Sequence, residues 1–223
     1  MKILTTILTC SGTQKRANAC LDTWVQDLKP PHDYVFYGDK AQSQSMDKTW
    51  NCTPDAGECR GRLPEKTYKM LNKSLDYEWD FLFKCDDDTF VNFDKLIEFL
   101  NTYDHSQDLY IGHRLWRADW GYAQGGAGYI LTRSSVQKCI QSLKIFYKNP
   151  RENASAEDFS VGKALNMQNI RITPTQLLHS HNPDWARRNQ DDIPEWYANN
   201  PFITMHYIQA DTMHKIYQQQ NKT

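Results

Sequence analysis

Asp80-Phe81-Leu82-Phe83-Lys84-Cys85-Asp86-Asp87-Asp88 is an apolar run that ends in three consecutive carboxylates. The stretch from Asp80 to Lys84 has the length and composition of a buried strand. The triplet then stands at the carboxyl end of that strand, where ligands bind in open α/β sheets. Three adjacent carboxylates repel one another and disfavour continued strand. A divalent cation bridging to phosphate oxygens is the economical way to offset their charge. Successive strand side chains point opposite ways, so Asp86 and Asp88 share a face and Asp87 points elsewhere. The result is an Asp-x-Asp pair; a solvated acidic turn is the competing reading of the triplet taken alone.

Working outward, strands and helices alternate. Residues 2–9 read as a β-branched strand, and Ala17, Leu21, Trp24 and Leu28 then recur at helical intervals. Tyr34 to Tyr37 is a second strand ending at Gly38, and the polar, turn-rich stretch from Lys40 to Gly61 is expected to form a loop or a small excursion. Leu63, Met70, Leu71 and Leu75 mark a helix before the central strand, and Leu96, Phe99 and Leu100 mark one after it. Further strands are expected at Leu109–Ile111 and Ala127–Leu131, and helices at Ser134–Leu143 and Ala156–Asn166. Such alternation predicts an α/β layered domain with a mostly parallel central sheet flanked by helices. The last third is expected as a strand at Ile170–Thr173, a binding or covering loop from Pro174 to Pro201, a strand at Phe202–Ile208 and a closing helix at Ala210–Gln219. No linker or repeat divides the chain, so residues 1–223 form one domain.

Composition narrows the function. The chain has 223 residues with 39% hydrophobic and 24% charged, enough for one sizeable core. Lys plus Arg (26) nearly balances Asp plus Glu (27), leaving no positive field to hold a phosphodiester backbone, so no nucleic-acid partner is expected. No apolar run approaches the ~20 residues of a membrane span, since Ile3 to Leu8 is interrupted by Thr5 and Thr6. The six cysteines are too sparse for a disulfide-built scaffold; Cys52 and Cys59 bracket a Pro/Gly loop and either close a small ring or stay free thiols. Four Asn-x-Ser/Thr sequons (Asn51, Asn72, Asn153, Asn221) are weak evidence of secretion in so Asn-rich a chain. Trp120, Tyr122 and Trp185 have the flat amphipathic rings that stack on sugars, although packing accounts for any one of them as well.

Five segments together carry a resemblance: Lys84 to Asn92, Gly125-Gly126-Ala127-Gly128-Tyr129, Glu157-Asp158-Phe159-Ser160-Val161-Gly162, His179-Ser180-His181, and Ile203 to Ile208. In order and spacing the chain resembles the fringe-like β1,3-glycosyltransferases, with the core 1 galactosyltransferase as a close relative. The resemblance implies a single GT-A-type domain, with residues 1–112 as the nucleotide-sugar-binding half and 113–223 as the acceptor-binding half. It also implies Mn2+, a UDP-sugar donor (UDP-Gal or UDP-GlcNAc), and transfer with inversion to a hydroxyl of a glycan or glycoprotein acceptor, forming a β1,3 linkage.

By the same resemblance Asp88 is a direct metal ligand, and Asp86 and Asp87 are donor contacts. The family's metal-ligating His is either His181 or His206. Arg16 and Lys66 match basic positions near the nucleotide, and Gly125 and Gly126 let the donor approach the backbone closely. Inversion needs one base, and Asp158 is assigned that role. It precedes Val161 and Leu165 by one and two turns and so shares their inward face, while Glu157 lies about 100° round the helix. The familiar animal members carry an anchor and a stem, whereas here Met1 stands just before the first strand. A cytoplasmic protein of microbial or viral origin is expected, the alternative being a lumenal catalytic domain lacking its anchor. Two rival functions remain open at this level: a metal-dependent phosphohydrolase, and a glycan-binding module of the same fold without turnover.

Overall fold

The computed structural model describes residues 1–53, 62–117, 120–148 and 156–220. The chain opens with β1 (Ile3–Leu8), α1 (Gln14–Asp22), β2 (Asp33–Gly38), α2 (Lys40–Ser45), β3 (Thr49–Asn51) and α3 (Leu63–Ser74). The central β4 (Phe81–Asp86), the two-residue β5 (Phe90–Val91) and α4 (Phe93–Leu100) follow. Next come β6 (Tyr110–Gly112), a hairpin of β7 (Arg114–Arg117) and β8 (Trp120–Ala123), then β9 (Tyr129–Thr132), α5 (Arg133–Lys148) and α6 (Glu157–Met167). The last part holds β10 (Thr173–Pro174), β11 (Leu178–His179), α7 (Pro183–Arg188), α8 (Ile193–Ala198), β12 (Thr204–Met205) and α9 (Ala210–Gln220).

Seven strands form the main sheet in the order β10-β6-β9-β4-β1-β2-β3. β1 pairs in parallel with β2 and β4, β2 with β3, and β6 with β10, whereas β9 runs antiparallel between β4 and β6. The expected α/β architecture with a mostly parallel sheet is therefore the observed one. Alternation along β4 splits the core in two. Phe81, Phe83 and Cys85 join Trp24, Phe36 and Met213 on one face, while Leu82 joins Leu4, Met70, Tyr129 and Val161 on the other. Lys84, fully buried, falls on the Leu82 side.

A second, three-stranded sheet links distant parts of the chain. β12 pairs in parallel with β11 and antiparallel with β5, in the register Met205↔Phe90 and Thr204↔Val91. Asp88 stands just before β5 and His206 just after β12, so this pairing sets the two side by side.

Several expectations are corrected. The first helix stops at Asp22 instead of reaching Leu28, because Thr23 leaves helical geometry (φ −126°, ψ −119°) and Trp24–Asp27 tightens into a 3-10 turn. The expected loop after Gly38 contains α2, capped by the Asp39 carboxylate accepting from Gln42 N–H, and the edge strand β3. The strand expected at Ile170–Thr173 shrinks to Thr173–Pro174, after a left-handed Asn169 (φ 59°). The stretch 174–201 holds two short helices, and the strand expected over 202–208 ends at Met205. Tyr207 lies in the left-handed region (φ 64°), which no strand continues through. The β7–β8 hairpin was not anticipated. Cys59, Asn153 and Asn221 lie outside the described residues. No described helix is long and apolar enough to cross a membrane.

Candidate active site

A cavity of about 810 Å³ opens at the carboxyl ends of β1, β2 and β4. Its walls come from Thr9 after β1, Asp39 after β2 and the triplet Asp86, Asp87 and Asp88 after β4. Gln124, Gly125 and Gly126, the start of α6 with Glu157 and Asp158, and His206 with Tyr207 complete it. Arg16 and Lys66 also line it, Lys66 from the first turn of α3 and only 3% exposed. Asp88 and Asp158 thus face one hollow.

The three carboxylates do different things. Asp87 lines the cavity, yet its oxygens are engaged from within. Thr9 Oγ1 donates to Oδ2 at 2.8 Å, Thr13 Oγ1 donates to the same oxygen, and Arg16 Nε lies 3.1 Å from Oδ1. Burial pushes the Asp87 carboxyl up to about 7, against the pull of Arg16 and the Thr13 hydroxyl. Asp88 accepts from Arg16 Nη1 at 2.9 Å through Oδ2 and faces His206 Nε2 at 3.2 Å through Oδ1. Burial raises that carboxyl too, but the hydrogen bond with His206 and the charge of Arg16 outweigh it and hold Asp88 below the usual carboxylate range. Asp86 receives 2.7 Å from Lys84 Nζ.

Lys84 is the hub of the far wall. Its ammonium reaches Asp86 Oδ1, Glu157 Oε1 at 2.5 Å and Gly125 O at 3.2 Å, and Tyr129 Oη donates to the other Glu157 oxygen at 3.0 Å. Burial alone would neutralise the lysine, but the charges of Asp86 and Glu157 hold its pKa well above the ordinary value. Glu157 is therefore the buried member of the acidic pair (5% exposed), the reverse of what helical spacing from Val161 and Leu165 implied. Asp158 is half-buried and turned to the cavity. Its Oδ2 accepts from Gly125 N–H at 3.0 Å and its Oδ1 from Phe159 N–H at 2.7 Å.

Among the described residues, Asp86, Asp88 and His206 form the group whose ligand atoms all lie within 4.8 Å of one another. His206 is 5% exposed, with the Tyr207 ring stacked on it at 3.7 Å. Gly126 makes room for it, since a Cβ there would stand 2.0 Å from His206 Cε1. Two carboxylate oxygens and one imidazole nitrogen suit a first-row divalent cation, and the residues present fit one. His181, the other candidate, is not in this group. It stacks on Trp185 at 4.9 Å and packs against His179 at 4.6 Å and Trp196 at 4.8 Å. Its Nε2 has no hydrogen-bond partner among the described residues. Burial among those rings, with the charge of His179, lowers its pKa to about 3.

The cavity thus brings together Arg16, Lys66, Asp86, Asp87, Asp88, Gly125, Gly126, Asp158 and His206, and His181 does not line it. Lys84, Asp39, Gln124 and Tyr207 were not singled out from the sequence. A lysine on the core-facing side of an apolar strand was a legible signal, because a buried charge must be paired. No comparable signal marks Gln124 or Tyr207, which depend on loop geometry.

A family model described as Fringe-like matches residues 1–222. The glycoprotein-N-acetylgalactosamine 3-beta-galactosyltransferase 1 of Xenopus laevis is 30% identical over 118 residues, covering 51% of this chain and 32% of its own. The beta-1,3-N-acetylglucosaminyltransferase lunatic fringe of Danio rerio is 22% identical over 191 residues, covering 75% of this chain and 50% of its own. The chain therefore spans about a third of the length of the first relative and half of the second. The crystal structure of the galactosyltransferase LgtC in complex with donor and acceptor sugar analogs superposes with a TM-score of 0.56, covering 98% of this chain and 96% of that one at 11% identity. At that identity the likeness concerns the fold alone, and the fold is GT-A.

Proposed function

The chain belongs to the Fringe-like family, and from that membership and the cavity just described we propose that it is an inverting, metal-dependent β1,3-glycosyltransferase. It would move a hexose or N-acetylhexosamine from UDP-Gal or UDP-GlcNAc to a hydroxyl of a glycan or glycoprotein. The observation that carries the proposal is that Asp158 and the Asp86–Asp88–His206 cluster line one cavity.

Asp86, Asp88 and His206 would hold the cation, Mn2+ being the one best matched to a mixed oxygen and imidazole set. When bound, such a cation neutralises charge on a departing diphosphate. Arg16, paired with Asp87 and Asp88, keeps a fixed positive charge at the same wall, and Lys66, which lines the same cavity, would meet the nucleotide phosphates. Asp158 is held by two backbone donors with its carboxylate at the cavity wall. It accepts the acceptor hydroxyl's proton as that oxygen bonds to the anomeric carbon. The electron pair of the breaking carbon–oxygen bond leaves with UDP. Attack from the side opposite the diphosphate inverts the anomeric configuration.

The test is incubation with Mn2+ and a panel of UDP-sugars, measuring UDP release with and without an acceptor library. Acceptor-dependent release supports the transferase. Failure to bind any UDP-sugar overturns it, release only without acceptor favours a hydrolase, and binding without release favours a glycan-binding module.

A further inference from the structure

Gln124 joins the end of β8 to the glycine turn, and both ends of its amide are engaged. Its Oε1 accepts from Ala127 N–H at 2.5 Å, and its Nε2 lies 3.2 Å from His206 Nδ1. An amide oxygen only accepts and an amide nitrogen only donates. The Ala127 N–H needs an acceptor, so it fixes which way the amide faces, and Gln124 necessarily presents a donor to His206. The Ala127 peptide is itself anchored, because its carbonyl accepts from Thr204 Oγ1 at 2.6 Å. Facing a donor, Nδ1 must be the lone-pair nitrogen of the imidazole, and the ring proton resides on Nε2. The other side of the ring agrees, since Nε2 faces a carboxylate oxygen of Asp88 at 3.2 Å.

A nitrogen that carries a proton cannot ligate a cation. Nε2 is the nitrogen turned toward Asp86 and Asp88, so ligation there moves the proton to Nδ1, which then needs an acceptor where Gln124 now offers a donor. We propose that Gln124 is a positioning residue that ties the tautomer of His206 to the Gly125–Ala127 turn. It holds the ring in the form unable to ligate and must turn its amide over when a cation enters, releasing the Ala127 N–H. Cation binding is thereby transmitted to the backbone that touches Asp158 through Gly125 N–H. The inference rests on the metal-dependent reading above.

The decisive measurement is imidazole 15N NMR of metal-free protein at about pH 8, above the ordinary imidazole range. The wild type is expected to show His206 protonated at Nε2, assigned by loss of the signal in His206→Asn. Gln124→Glu, whose carboxylate accepts from both Nδ1–H and Ala127 N–H, is expected to show protonation at Nδ1 and to bind Mn2+ about tenfold more tightly by calorimetry. Mn2+ should also speed hydrogen exchange at Ala127 in the wild type and not in Gln124→Glu. An Nδ1–H signal in the metal-free wild type overturns the inference, and so does tighter Mn2+ binding by Gln124→Glu without a change of tautomer. A wild type with Nε2–H that takes up no Mn2+ overturns the metal reading, and the coupling falls with it.

Discussion

Asp158 has both carboxylate oxygens on backbone N–H groups, from Gly125 and Phe159, so its direction is set before any ligand arrives. Asp158→Asn keeps the shape and removes the proton acceptor. Turnover should fall by about 10²–10⁴-fold in steady-state assays, with UDP-sugar affinity by calorimetry nearly unchanged. Equal loss of both would remove Asp158 from the base role. Gly126 is a second single-atom constraint. Gly126→Ala places a methyl group where the His206 ring lies, which should weaken Mn2+ binding about 10–100-fold and cost about 1–3 kcal/mol of stability. His179 and His181 provide a pH signature. Burial among Trp185, Trp196 and Phe202 lowers their pKa values to about 4 and about 3, whereas the unfolded chain protonates near the ordinary value of about 6.5. Their contribution to stability is complete above that value and is lost as pH falls toward about 4 for His179 and about 3 for His181, because the unfolded state takes up protons first. The urea midpoint should drop over that window, and His181→Phe should make the drop smaller. An equal slope in the variant would show that other groups govern it.

At the scale of elements, β4 delivers its carboxylates through a buried lysine. Lys84→Met leaves the buried Glu157 without its cation and should cost about 3–5 kcal/mol in chemical denaturation. Lys84→Met with Glu157→Gln should recover part of that loss, since the remaining amide still accepts from Tyr129 Oη. Full additivity would mean that the two residues do not act as a pair. This network also marks where sequence reasoning stops. The strand–helix alternation from β1 to α6 was legible because its periods are local, and the triplet was legible because charge at a strand end is local too. The one-residue offset that buries Glu157 and leaves Asp158 facing the cavity was not, because α6 is rotated by its packing on β8. There Gly162 lies so close under Tyr122 that an added Cβ would meet it at 2.3 Å. Likewise, His206 and His181 could not be separated by spacing. One follows β12 into the cavity, and the other ends in a stack of rings that only the two short helices of the late segment create.

For the whole molecule, the cavity draws walls from the first strand and from the last, so a ligand that fills it ties the two ends together. UDP-sugar with Mn2+ at about a hundred times its dissociation constant should stabilise the protein by about 2.7 kcal/mol. That corresponds to a rise in Tm of roughly 5–11 °C for a chain of this size, reversed by EDTA. An unchanged Tm with saturating ligand would count against the site. The α/β class was readable from the whole chain, but the small β11–β12–β5 sheet was not. Its strands are two residues each, too short to leave a periodic trace. Yet that sheet, with Ile208 N–H donating to the Asp88 carbonyl at 2.9 Å, sets His206 beside Asp88. A nascent chain leaving the ribosome therefore exposes its acidic triplet long before the imidazole that completes it. Any product cut short before Thr204 lacks the imidazole that completes the cluster, however well its first half has folded.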